Sequence, residues 1–306
     1  MIVKADAFLE RAVCHDHVYA GPQTRLRGCV IGRSTDLRGH ARVEEGVVVG
    51  DECFVGEGAV INPGVKIYPF KTVEAGATIN SSIIWESKGA RSLFGRDGIS
   101  GLANVDISPE LAARVAMAFA TTLRKDATVI TSRDSSRAAR MLKRAFMAGL
   151  NASGVNVLDL EVAPVPVTRF LTRQPVATAG VTIRLVEGDS QSVMIRFFDR
   201  DGIDITEDAQ RKIERLIGRE DFRRVLAGEI GDIGFPPRAL EQYTAALGET
   251  VDLAAVRKAD FKLVIDYGYG ATAFVMPNVL AKLGADVLGV NPYASTRQAI
   301  TVDRAD

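Results

Sequence analysis

Between Ile31 and Ile79 an aliphatic residue returns at every sixth position: Ile31, Leu37, Val43, Val49, Val55, Ile61, Ile67, Val73, Ile79. Four places after most of them stands a small or aliphatic residue, at Thr35, Ala41, Val47, Cys53, Ala59, Val65 and Ala77. Glycines collect beside the ladder at Gly32, Gly46, Gly50, Gly56, Gly58, Gly64 and Gly76. A period of six suits neither the 3.6 of a helix nor the 2 of an ordinary strand. It fits a parallel coil whose flat sides take one hexapeptide each, the ladder residue pointing inward and the small residue filling the corner. Residues 1–86 are therefore expected to form a parallel β-helix. Carried backwards, the same phase puts Arg25, Tyr19, Val13 and Ala7 on the ladder. The coil would then be under way almost at Met1 with no cap over its edge, as in a piece of a longer protein.

The rest of the chain changes character. After Ile83 and Ile84 the stretch Trp85-Glu-Ser-Lys-Gly-Ala-Arg-Ser92 breaks the repeat, and a linker is expected at 87–93. Ser108-Pro109 reads as a helix start, with Leu111, Val115 and Phe119 on one face. Ala127–Thr131 reads as a short strand, Ser135 or Ser136 as the cap of a helix carrying Leu142, Phe146 and Leu150, and Val155–Leu160 as a strand. Pro164 and Pro166 are taken to mark a loop. Ala177–Arg184 and Val193–Phe198 read as strands, and Thr206–Gly218 and Glu220–Ala227 as helices. A helix near Leu240–Leu247, a strand at Lys262–Asp266, a helix ending near Gly284 and a strand at Ala285–Val290 complete an alternating order typical of α/β layers.

Composition narrows the function. Lys+Arg and Asp+Glu balance at 38 each, which argues against a nucleic-acid or membrane-surface protein. The three cysteines, Cys14, Cys29 and Cys53, all fall in the repeat, and Cys29 and Cys53 take the corner phase, a packing role. With no signal-peptide pattern and no apolar run of membrane-spanning length, a reducing, cytoplasmic setting is expected.

Several motifs carry a resemblance. Phe94-Gly-Arg-Asp-Gly-Ile-Ser-Gly101 resembles the F-G-T-D-G-I-R-G opening of the α-D-phosphohexomutases. Thr131-Ser-Arg-Asp134, the run from Leu142 to Gly154-Val-Asn-Val157, and Val162-Ala-Pro-Val-Pro-Val-Thr168 follow the first domain of that family. Ile195-Arg-Phe-Phe-Asp-Arg-Asp-Gly202 resembles the segment after its catalytic loop, and Leu263-Val-Ile-Asp266 through Leu283-Gly284 its second domain. Behind hexapeptide coils, the arrangement resembles bacterial mannose-1-phosphate guanylyltransferase/phosphomannomutase-like fusion proteins. The resemblance implies a left-handed parallel β-helix of hexapeptide repeats (1–86), an α/β/α domain I (94–235) and an incomplete domain II (236–306). It implies Mg²⁺ for the full-length family but no cofactor within this segment.

The departures bear on chemistry. The family carries a phosphoserine in a T-A-S-H-N-P loop, where a nucleophilic hydroxyl shuttles a phosphoryl group between two sugar hydroxyls. Here the serine position falls on Val186 and the histidine position on Glu187, so no catalytic residue is expected; Ser190 and Ser192 are the only nearby substitutes. The arginine of I-R-G is Ser100. The metal loop D-G-D-x-D-R is missing, and Asp199, Asp201 and Asp204 do not reproduce its spacing, so no metal site is expected. Arg96 and Asp97 in the opening turn, Arg133 before a helix N-terminus and Arg196 are the candidate phosphate-binding residues. Alternatively, Asp97 and the Arg133-Asp134 pair simply order turns and caps.

Three readings follow. The chain is expected to be part of a sugar-nucleotide biosynthetic protein, an assembly and regulatory scaffold whose mutase-like site is degenerate. The alternative is a stand-alone sugar-phosphate-binding or oligomerisation module without catalysis; in both, homo-oligomers form through the coil. A hexapeptide acyltransferase would need a histidine base. Of His15, His17 and His40, His17 falls on the corner phase and is expected to be partly buried, with no acceptor loop in sight.

Overall fold

The computed structural model describes residues 1–84, 88–89 (backbone only) and 92–295. The chain divides into two compact units, Met1–Leu93 and Phe94–Asp306. The first is a coil of short parallel strands on three faces. Tyr19–Ala20, Asp36–Leu37, Phe54–Val55 and Thr72–Val73 follow one another on one face, Arg25–Arg27, Arg42–Val43 and Val60–Ile61 on the second, and Val13–Cys14, Val30–Ile31 and Val48–Val49 on the third. Each coil donates backbone hydrogen bonds to the next, as from the Val48 N–H to the Val65 carbonyl at 3.0 Å. The ladder from Ile31 to Ile79 is buried throughout, and Ala41, Ala59 and Ala77 fill corners at no exposure. Lys88–Gly89 still pairs with Thr72–Val73, so the coil's hydrogen bonding reaches past residue 86. The rest of the expected linker at 87–93 lies largely outside the described residues.

The backward extension of the ladder fails. Inward positions before Ile31 are Leu26 and Ala20, both fully buried, with Cys14 beyond them; Arg25 and Val13 point outward and Tyr19 is half-buried. The cause is a one-residue slip. Leu26 and Ile31 are five positions apart instead of six, and register across the early coils is 17 residues (Arg25 with Arg42) where later coils keep 18 (Arg42 with Val60). In a strand, one residue of slip turns every side chain to the other face. It also moves the corner from His17 to Val18, so His17 is exposed with a φ of 59°.

Cys29 sits at a corner, 2% exposed. Burial, with the adjacent Cys14 adding to it, pushes its thiol from 9.0 up to about 11. A folded value above the unfolded one means a contribution complete below pH ~9 and lost as pH rises through ~11. The shift corresponds to roughly 2–3 kcal/mol. The coil should therefore melt progressively earlier between those pH values, and Cys29→Ala, a residue other corners already use, should flatten that slope. Parallel melting curves for the two proteins across this window would refute the assignment.

The second unit is layered α/β. Its strands are β1 (Ile99–Leu102), β2 (Thr128–Arg133), β3 (Asn156–Val162), β4 (Ala179–Val186), β5 (Asp189–Phe198) and β6 (Ile233–Gly234), ordered β1-β5-β4-β2-β3-β6. The helices α1 (Pro109–Thr122) and α2 (Arg137–Ala152) start where the sequence signals them, with Ser108 and Ser136 accepting from the N–H of Leu111 and Ala139. They cover one sheet face, where Phe197 meets the rings of Phe94, Phe119 and Phe146 at 5.4, 5.1 and 6.0 Å. The other face receives α3 (Val165–Thr172), with Val167 and Leu171 packed on Ile130. The expected loop at Pro164 and Pro166 is thus this helix. Proline needs no N–H in the first turn, where no carbonyl awaits it.

After α4 (Glu207–Arg219), the expected helix at 220–227 is absent. Glu220 turns left-handed as the cap of α4, and the irregular segment that follows is pinned by Arg223, whose guanidinium donates to the carbonyls of Ser153, Leu123 and Ala120, each at 2.8 Å. Beyond β6 come α5 (Ala239–Gly248), α6 (Leu253–Lys258), β7 (Lys262–Asp266), α7 (Met276–Leu283) and β8 (Asp286–Val290). β7 and β8 form a separate parallel pair, while Val275 and Val279 join the Ile130–Val167–Leu171 cluster.

Candidate functional site

The stretch that the resemblance aligns with a nucleophile loop, with Val186 at the serine position, is a hairpin turn. β4 runs on to Val186, β5 begins at Asp189, and these two residues pair, leaving Glu187-Gly188 as the whole connection, with Gly188 at φ 78°. A two-residue turn with a positive-φ glycine is the tightest link between antiparallel strands. Ser190 is exposed on β5 and Ser192 half-buried. The Asp189 carboxylate accepts from the N–H groups of Gln191 and Ser192, at 2.8 and 3.3 Å, and the Ser192 hydroxyl heads the causes that hold this carboxyl below its ordinary value. Asp189 and Ser192 thus order the strand that leaves the turn.

Arg133 stands apart from the other candidate phosphate ligands on the second strand. Arg133 ends β2 with its guanidinium 3.1 Å from Glu161 and 2.9 Å from the carbonyl of Asp134, and its buried Nε lacks a partner among the described residues. Arg196 lies on the opposite sheet face: Arg133 pairs with Ile183, which pairs with Ile195, one residue along from Arg196, and strand side chains alternate. The guanidinium of Arg196 grips Asp204 at 3.0 and 3.1 Å, and Arg169 of α3 binds the same carboxylate. Arg96 and Asp97 are exposed in the opening turn. They line a cavity of only about 20 Å³ with Phe197, Asp204 and Gln210.

The acidic residues are similarly committed. Asp199 accepts from the N–H groups of Asp201 and Ile203 at 2.9 and 3.0 Å, closing a turn. Among the described residues no three His, Cys, Asp or Glu side chains are gathered as a metal would require. Nor is any helix long and apolar enough to cross a membrane. Cys14, Cys29 and Cys53 are all free thiols.

The residue that sequence reasoning passed over is Arg184. It stands near the end of β4, on the face shared by Thr182 and Arg196. The hydroxyls of Thr168, Ser132 and Thr182 form a buried chain on that face, at 2.7 and 2.9 Å. Burial is the leading cause lowering the Arg184 pKa, with the Arg196 charge acting in the same sense and Asp134 and Glu187 opposing it. Asp134 supplies no direct bond: its carboxylate accepts from the N–H groups of Ser136 and Leu185, at 2.8 and 2.7 Å. Arg184, Met194 and Ser100 are cross-strand neighbours in one row. The cation that the resemblance expects at Ser100 therefore has a counterpart two strands away. An arginine in a sequence reads as surface; only the register shows this one half-covered beside a second guanidinium, an arrangement suited to an anion.

Comparison with known proteins fits this architecture. Residues 91–224 match the family model described as phosphoglucomutase/phosphomannomutase, alpha/beta/alpha domain I. These residues thus carry a phosphohexomutase-type domain I. Over 205 residues the chain is 31% identical to the phosphoglucomutase/phosphomannomutase of Thermococcus kodakarensis, spanning 66% of this chain and 45% of that protein. It is 33% identical over 208 residues to the phosphoglucosamine mutase of Alkaliphilus oremlandii, spanning 65% and 45%. The solved structure of a phosphoglucomutase/phosphomannomutase family protein from Burkholderia thailandensis shares the fold, with a TM-score of 0.59, 19% identity, and coverage of 68% of this chain and 45% of that one. The chain spans less than half the length of these relatives.

Proposed function

We propose that this chain is a non-catalytic segment of a cytoplasmic sugar-nucleotide biosynthetic protein of the mannose-1-phosphate guanylyltransferase/phosphomannomutase-like kind. Its coil, read as a left-handed β-helix of hexapeptide repeats, serves homo-oligomeric assembly. Its mutase-like domain holds a sugar phosphate without turning it over, and the metal chemistry of the full-length family, Mg²⁺, has no share in this segment. The observation that carries the reading is the turn at Glu187-Gly188, with Val186 at the nucleophile's position. Valine has no oxygen to accept a phosphoryl group. The second support is Arg184, half-covered near the end of β4 on the face it shares with Arg196, a cation that a phosphate could meet without a nucleophile.

The test is incubation with glucose 1,6-bisphosphate followed by intact-mass measurement and peptide mapping. No phosphoryl adduct is expected. A stable phosphate on Ser190 or Ser192 would overturn the proposal.

A further inference from the structure

A second polar cleft lies at the other end of the α/β sheet. Arg133, Arg184 and the Glu187 turn stand at the carboxyl ends of β2 and β4. The cleft opens at the amino ends of the same strands, about 20 Å away for a six-residue strand. It encloses about 370 Å³ and is lined by Arg124, Lys125 and Asp126 from the α1–β2 loop, Thr178 at the entry to β4, and Arg200 just after β5. Two segments far apart in sequence bring cations here because β4 and β5 are antiparallel, so that the end of β5 returns to the start of β4 (Gly180 opposite Phe198).

The cations are not equally available. Lys125 binds Glu229, and that contact is the leading cause of its raised pKa. The side chains of Arg124 and Arg200 have no hydrogen-bond or ion-pair partner among the described residues, and both are exposed. Asp126, held at φ 61°, adds a carboxylate to the same wall, and Thr178 a hydroxyl whose backbone is fixed by its N–H bond to the Thr128 carbonyl at 2.8 Å. Two free guanidiniums suit a phosphate dianion, which arginine can grip with paired N–H donors. The carboxylate would repel a bare anion, but it accepts hydrogen bonds from hydroxyl groups.

We propose that this cleft binds a hydroxylated phosphate monoester of monosaccharide size, the phosphate on Arg124 and Arg200 and the hydroxyls on Asp126 and Thr178. This site is independent of the one at Arg184, and neither needs the other.

Glucose 6-phosphate titrated into the full chain, followed by amide NMR shifts and calorimetry, tests it. Shifts are expected at residues 124–127, 177–178 and 200. Arg124→Glu with Arg200→Glu, both on exposed side chains, should weaken that binding at least about tenfold. Arg184→Gln should leave these shifts unchanged. Absence of shifts at millimolar ligand, or shifts that survive the double charge reversal, would overturn the site. Equal affinity for inorganic phosphate would overturn the assignment of the hydroxyl-bearing ligand class.

Discussion

Lys143→Met alone is expected to cost the α/β unit about 3–5 kcal/mol, the penalty for removing one partner of a buried ion pair. Lys143 on α2 and Asp159 on β3 are 2% and 3% exposed. The ammonium donates to both carboxylate oxygens, and the carboxylate also accepts from the Glu161 N–H at 2.9 Å and the Thr131 hydroxyl at 3.3 Å. Burial pushes the Lys143 pKa down, and the hydrogen bond and charge of Asp159 oppose that shift. Methionine would leave a bare carboxylate in the core. Asp159→Asn should cost a similar amount for the opposite reason, stranding an ammonium. The double change Lys143→Met with Asp159→Leu removes both charges and should recover most of the loss. Hydrogen exchange at the β2 and β3 amides reads this unit separately from the coil. Single variants within 1 kcal/mol of the parent would refute the account.

That pair also shows what a sequence can and cannot announce. The ladder from Ile31 to Ile79 was legible because one physical constraint, stacking in a coil, acts identically on every sixth residue. The slip between Leu26 and Ile31 was easy to miss because Tyr19 and Val13 are as apolar as Ala20 and Cys14; only Arg25 beside Leu26 marks the change of phase. Helix starts at Ser108, Ser136 and Thr206 were readable because capping is local. The prolines of α3 misled because the same residues open helices and interrupt them, and which one happens depends on whether the apolar face finds a sheet to cover. Lys143 and Arg184 look like surface charges along the chain. Their burial is a property of strands brought together from elsewhere, and so is the cleft between Arg124 and Arg200. Val186 was legible at the position where the resemblance expects a nucleophile, but not that Glu187-Gly188 would close a tight hairpin there.

Gly98→Ala should be the most damaging small substitution in the opening motif, at about 2–5 kcal/mol. Gly98 adopts a φ of 135°, and a methyl group there would stand 2.3 Å from the Ile195 carbonyl oxygen. Backbone of that kind, outside glycine, costs about 1–3 kcal/mol, and forcing atoms into a filled site adds a comparable amount. The damage should centre on β1, which begins at Ile99 opposite Ile195, and appear as faster amide exchange there. Gly95→Ala is the control: its added carbon would lie 3.5 Å from the Gly98 carbonyl oxygen, an ordinary contact. Equal stability of the two variants would refute the steric argument. Here Arg96 and Asp97 are exposed, the arginine position is Ser100, and the glycine is fixed by the approach of a neighbouring strand. The backbone geometry that admits only glycine at this position is therefore set by sheet pairing.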